Sequence, residues 1–213
     1  MTKDFIPLNL IATCPSVLMV NANSPYLTVQ DLIAAAKAKP DEINYGSGGI
    51  GTAAHLGAEM FNNLAKIKTK HIPYKGGISA INDLAAGQIQ FAFTDPAPVI
   101  SFIKSGKLRA LAVTSAKRFP FMPDVPTFIE SGVPNFIAVN SWATYMPTGA
   151  QPSIVSQLQS SIHKAITDPD LIRRFAEMGI EAQNISPEEF KNFLTSENAK
   201  YAKLIRENRI RAE

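Results

Sequence analysis

Short β-like runs alternate with amphipathic helical stretches along most of this chain, one pair about every 25 residues, and that alternation limits the fold more than any other feature. VLMVNA, from Val17 to Ala22, reads as a strand. Thr28 then predicts a helix N-cap with Asp31 three residues on, Leu32, Ile33 and Ala36 on one face and a stop before Pro40. Ile43–Tyr45 is the next strand, followed by a glycine loop and a helix expected to bury Leu56, Met60, Phe61 and Leu64. A basic strand runs to Tyr74, and Lys75-Gly76-Gly77 opens a helix carrying Ile78, Ile81 and Leu84 that ends at Gly87. IQFAFTD and LRALAVTS are further strands, with a short helix expected near Thr127–Ser131 before FIAVN. Beyond Trp142, Ile154, Val155, Leu158, Ile162 and Ile166 form a helical stripe. Asp168-Pro169 caps a second helix, and Ser186-Pro187-Glu188-Glu189 opens a long, charged third one. The pattern predicts an α/β fold with a largely parallel sheet and helices on both faces.

Composition narrows the function. With 213 residues, 46% apolar and 18% charged, the chain can bury one large core or two small ones. A net charge of +3 is too weak and too dispersed to suggest nucleic acid. KIKTKHIPYK, Lys66 to Lys75, alternates like a strand with one wet face. The single cysteine, Cys14, sits among apolar neighbours and reads as a buried thiol, and no metal-ligand spacing is present. No apolar run is long enough to span a membrane, and no export signal is recognisable at the start of this sequence.

The stretch from Asn44 to Phe61, NYGSGGIGTAAHLGAEMF, carries the functional question. Gly46, Gly48 and Gly51 spell the G-x-G-x-x-G of dinucleotide sites. The acid that should hold a ribose about 20 residues later is missing, because that position falls near His71. Lys70 or Lys75 could meet a 2′-phosphate instead, which keeps open an NADP- or phosphate-binding enzyme domain using Gly46–Thr52. A Walker loop and a nucleophile elbow are both mismatched, and no general acid/base pair accompanies the loop. The other reading is an anion cradle, in which the first amides of a helix and its dipole face a negative charge that glycines allow close to the backbone. Thr52 could cap that helix or turn to a ligand. His55 could face the site or pack on the sheet, and with Glu59 it lacks a third metal ligand.

Two more strand-to-helix corners share the design: Tyr74-Lys75-Gly76-Gly77 and Thr94-Asp95-Pro96. In open parallel sheets such corners gather at the carboxyl ends of the strands, where ligands sit. A helix terminus supplies ~0.3–1 kcal/mol, up to ~2 when partly buried, and each charge-assisted hydrogen bond adds ~1.5–3. Micromolar binding needs about 8 kcal/mol, so several corners and a second wall must cooperate.

These residues resemble the tripartite tricarboxylate transporter solute receptors, the Bug family of periplasmic binding proteins. The resemblance rests on INYGSGGIGTAAHLGAEMF, HIPYKG and LRALAVTSAKRFPFMPDVPTFIESG, and continues through SWATYMPTGAQPSIVSQL to SPEEF. It implies a type II-like periplasmic binding fold of two α/β lobes with mostly parallel sheets, joined by crossing strands. It also implies a small organic anion, usually a di- or tricarboxylate, held between the lobes for a membrane permease, with no catalysis, cofactor or nucleic acid. Carried over, the ligand-facing positions are Ser47, Gly48, Gly51, Thr52 and His55, then Tyr74, Lys75, Gly76 and Asp95. Asp95 would repel an anion, so its expected role is to receive an amino group, order a water or cap its own helix.

Family members begin with a signal peptide and a first-lobe segment that supplies the other wall, and nothing matching it precedes Met1. The expected division is residues 1–17 as a crossing strand and remnant of lobe 1, 18–138 as lobe 2, and 139–213 as the return crossing with the C-terminal helices of lobe 1. The expected location is the periplasm, the export signal being absent from this sequence. Two expectations follow. The chain alone binds its ligand weakly or not at all, which calorimetry showing micromolar binding would refute. Its uncovered first-lobe surface favours self-association, against which strictly monomeric elution at high concentration would count.

Overall fold

A computed structural model describes residues 4–211. In chain order the elements are β1 (Phe5–Pro15), β2 (Val17–Asn21), α1 (Val29–Ala38), β3 (Asn44–Ser47), α2 (Ala53–Ala65) and β4 (Lys70–Pro73). Then come α3 (Gly77–Ala85), β5 (Phe91–Thr94), a 3-10 turn (Ala97–Val99), α4 (Ile100–Lys104) and β6 (Leu108–Val113). The chain closes with β7 (Val139–Pro147), α5 (Pro152–Ile166), α6 (Pro169–Glu177), β8 (Glu181–Ala182) and α7 (Pro187–Glu207). They divide into two compact units. One takes in the chain up to Cys14 and Asn140–Ala202, the other Pro15–Val139 and the chain from Lys203 onward.

The larger unit is built on a five-stranded sheet in the order β4-β3-β5-β2-β6. β3 runs parallel to β4 and β5, whereas β2 is antiparallel to both β5 and β6. Four strands therefore point one way and β2 alone points the other. The α/β class is as expected, and the sheet is mixed through the reversal of β2 alone. The reason is local: β2 follows β1 after the single residue Ser16, so no crossover helix precedes it to impose a parallel direction. Thr114 fastens this entry point, its hydroxyl accepting from the Ser16 amide at 2.8 Å and donating to the Ala138 carbonyl.

Alternation along the strands fills both faces. On one side Val17, Met19 and Ala92 pack with Ile81 and Leu84 of α3, and with Leu108, Phe119 and Met122. On the other, Phe91 and Phe93 meet Phe61 of α2, Phe128 and Phe136 in an aromatic cluster with centroids 4.3–6.3 Å apart. α1 begins at the expected Thr28 capping box with Asp31 and buries Leu32, Ile33 and Ala36. Two expected core residues lie outside: Leu64 is 40% exposed and Ile78 is 56% exposed, each at the edge of its helix's apolar stripe. Thr127–Ser131 forms turns rather than a helix, with Glu130 accepting from the Thr127 amide at 2.7 Å.

The smaller unit carries a three-stranded sheet, β7-β1-β8, with α5 and α6. Cys14 is buried and donates to the Gly179 carbonyl at 3.0 Å, as expected of a structural thiol. The stripe of α5 is only partly covered: Ile166 is buried, while Ile154 and Leu158 are exposed. Among the described residues no helix is long and apolar enough to cross a membrane.

Candidate functional site

Because β3, β4, β5 and β6 share one direction, the segments following them emerge at one edge of the larger unit's sheet. The Ser47–Thr52 loop leaves from the middle strand of three. The Tyr74–Gly77 corner lies on one side of it and Asp95 on the other, after β4 and β5 respectively.

The first two corners touch. The Tyr74 amide donates to the Ser47 carbonyl at 2.9 Å. A Cβ on Gly48 would stand 3.0 Å from the Gly77 nitrogen and 3.3 Å from the Gly76 carbonyl carbon, so a side chain there would press the loop away from the start of α3. Gly76 is the N-cap of α3 at φ +112, with no side chain capping the helix. The first amides of α3 thus begin beside the glycine loop, the disposition that receives anions. Lys75 is exposed at the same corner. Tyr74 is half-buried and its hydroxyl donates to Asp83 at 2.8 Å; burial first, then the Asp83 carboxylate, lifts its pKa to about 12. Asp95 is half-buried at the end of β5, just before Pro96, the N-cap of the 3-10 turn.

The loop is held from within. Gly46 lies inside β3, where an added Cβ would come within 2.5 Å of Ile89 Cδ1, so it serves close packing. A dinucleotide fingerprint needs its first glycine in the turn beyond the strand, and the spacing here occurs without that geometry. Ser47 is buried, and its Oγ lies 2.7 Å from His71 Nε2 and contacts both the amide and the carbonyl of Gly49. Thr52 is the N-cap of α2, accepting from the His55 amide and donating to the Gly49 carbonyl at 2.8 Å. Gly51 is exposed at φ +78 and donates its amide to His55 Nδ1 at 3.0 Å. The side chains of Ser47, Thr52 and His55 therefore brace the loop, whereas Gly48, Lys75 and Gly76 stand at the junction of the two corners.

Three residues in this framework are absent from the sequence-derived set: Tyr45, Glu59 and His71. Tyr45 is fully buried, stacks on His71 at 4.9 Å, and donates its hydroxyl to Glu59. Burial first, then the Glu59 carboxylate, pushes the Tyr45 phenol well above its ordinary range. His71 stacks on His55 with centroids 4.1 Å apart. The signal for His71 was a histidine opposite Tyr45 in neighbouring parallel strands, which requires their pairing register.

Burial holds both imidazoles below their usual range, His71 at about 4 with His55 adding to the effect, while Glu59 partly offsets the shift at His55. Well above pH 6.5 folded and unfolded chains both hold these rings neutral, and the shift costs no stability. As pH falls from 6.5 toward 4 the unfolded chain takes up protons that the folded chain refuses, so stability declines. The His71 shift would carry about 3 kcal/mol fully shielded, reduced to about 1–2 by solvent at a half-buried ring. Urea midpoints at pH 7.5, 5.5 and 4.5 should show this acid limb, and His71→Gln should flatten it. An equally steep limb in the variant would count against it.

Comparison with known proteins identifies the family. Residues 1–210 match the family described as the tripartite tricarboxylate transporter family receptor. A UPF0065 protein in the tcbD–tcbE intergenic region of Pseudomonas sp. (strain P51) is 35% identical over 211 residues, covering 99% of this chain and 63% of its own length. Protein BugT of Bordetella pertussis is 32% identical over 205 residues, covering 96% and 63%. The chain thus spans less than two thirds of the length of these relatives. Among solved structures, R. palustris Rpa4515 with adipate superposes with a TM-score of 0.84 at 31% identity, over 97% of this chain and 69% of that one. The periplasmic binding protein BugD gives 0.82 at 28% identity, over 98% and 71%. With a family match along nearly its whole length and this fold, the chain belongs to the tripartite tricarboxylate transporter receptors, the Bug family of periplasmic binding proteins.

Proposed function

We propose that this chain is the ligand-capturing part of a periplasmic receptor that binds a small dicarboxylate or related organic anion and presents it to a membrane permease of the tripartite tricarboxylate type, without catalysis. The observation that carries this reading is the contact between the glycine corners at Gly48 and Gly76–Gly77, beside the uncapped first turn of α3. Lys75 at the same corner adds a positive charge. The similarity to Rpa4515, whose structure contains adipate, supports the choice of ligand class. Two charge-assisted hydrogen bonds at ~1.5–3 kcal/mol each and a helix terminus at up to ~2 give about 3–8 kcal/mol, which runs from several millimolar to micromolar affinity.

The test is a titration of the isotope-labelled chain with adipate, followed through backbone amide shifts. Saturable changes are expected at Gly48, Gly76, Gly77 and Ile78, and none with the neutral diamide. Equal responses to acid and diamide, or changes confined elsewhere, would sink the reading.

A further inference from the structure

The loop that lies against α3 has little packing of its own. Around Gly51 no heavy atom lies within 4 Å of where a Cβ would stand, and its φ of +78 is one that only glycine adopts freely. Ser47 and Thr52 already fasten Gly49; at Gly51 itself, which can change conformation at low cost, a specific bond chooses the one observed. That bond runs from the Gly51 amide to His55 Nδ1, 3.0 Å away. An imidazole nitrogen accepts only when it carries no proton, so the bond requires a neutral His55 ring bare at Nδ1. The ring is buried and lies 18° from parallel to His71, centroids 4.1 Å apart. Tyr45 lies beside the pair, its ring centroid 4.9 Å from that of His71 and 6.3 Å from that of His55.

We propose that His55 is a positioning residue: its uncharged ring sets the Gly49–Thr52 segment by accepting the Gly51 amide, with His71 as the stacked partner that fixes the ring's orientation. Protonation at Nδ1 would bring two N–H groups head to head and release the segment. The functional consequence, loss of carboxylate affinity in acid, rests on the receptor reading above. The setting of the loop does not.

The surroundings favour the neutral ring. Two stacked imidazolium ions would repel each other across 4.1 Å, so the pair resists double protonation. Glu59, one turn along α2, is the acid among the described residues whose charge acts on His55, and it already accepts the Tyr45 hydroxyl. Around the two rings, Tyr45 of β3 stacks near both, Ser47 of β3 bonds His71, and the uncharged Phe91 of β5 stacks on Tyr45. Lys70, next to His71 in the chain, is exposed. His71 responds differently from His55. Its Nε2 faces a serine hydroxyl that can either donate or accept, so that contact survives a change of protonation. Release of the loop therefore belongs to His55.

The experiment uses the whole chain and needs no ligand for its first arm. Long-range nitrogen–proton correlation spectra should show His55 bare at Nδ1 at pH 7.5. The Gly51 amide proton should then move with the His55 titration as pH falls to 4. His55→Asn places a non-titrating carbonyl near the Nδ1 position, and should keep the neutral-pH Gly51 shift while removing its acid dependence. In the second arm, adipate affinity is compared at pH 7.5 and 5.0 in both proteins, so that the ligand's own titration cancels. The wild type should lose about fivefold more than the variant, the worth of one ordinary hydrogen bond. A proton on Nδ1 at pH 7.5, a Gly51 amide flat through the His55 titration, or an acid response kept in His55→Asn would each overturn the proposal. If neither protein binds adipate, the receptor reading fails while the first arm still decides the role of His55.

Discussion

Phe61→Ala is expected to lower the unfolding free energy by about 3–5 kcal/mol. Phe61 is fully buried on α2, and its ring meets Phe91, Phe93, Phe128 and Phe136, with centroids 5.4–6.2 Å away. Truncation removes the transfer energy of a whole ring and leaves a cavity bounded by four others. Aromatic walls on strands β5 and on the segment around Phe128 and Phe136 cannot collapse into it without moving the sheet. For a chain of this size the melting temperature should fall on the order of 10 °C. Leu64→Ala is the matched control, since Leu64 lies on the same helix but is 40% exposed, and should cost under about 1 kcal/mol. Urea unfolding followed by far-ultraviolet circular dichroism reads both. Equal losses in the two variants would show that α2 is not anchored through the aromatic cluster.

The second large effect is at the junction of the corners. Gly48→Val should weaken adipate binding at least about tenfold and cost about 1–3 kcal/mol of stability, because the new side chain meets backbone rather than flexible side-chain atoms. The Gly77 nitrogen at 3.0 Å and the Gly76 carbonyl carbon at 3.3 Å cannot swing aside unless the first turn of α3 shifts. Gly77→Ala is the control from the same corner: a Cβ there meets nothing within 4 Å and its φ is not positive. Amide shifts of Gly76 to Ile78 report the displacement without ligand, and the adipate titration reports its consequence. If Gly77→Ala proved as damaging as Gly48→Val, close approach of the two corners would not be what the site requires.

Helices were the most legible part of this chain, since α1 announces itself through the Thr28–Asp31 box and the Leu32, Ile33, Ala36 face. Strand direction was not legible. The reversal of β2 depends on partners on β5 and β6 far along the chain, and a run such as VLMVN carries no mark of polarity. At the site, the glycine corners could be found because glycine before a helix start has a local meaning. The orientation of hydroxyl groups could not, and Ser47 turns inward to His71 where the sequence suggested a ligand contact. His71 itself was hidden in a basic stretch that reads as a wet strand, because its place opposite Tyr45 exists only once β3 and β4 are paired.

The reversed strand also governs timing. β2 is seated between β5 and β6, and its partner Val113 lies roughly a hundred residues downstream of Val17. On a ribosome adding about 5–20 residues per second, the sheet of the larger unit waits some 5–20 seconds for its last strand. Until β5 and then β6 arrive, VLMVN lacks at least one of its two strand partners, so this architecture carries its own delay before commitment to the native state.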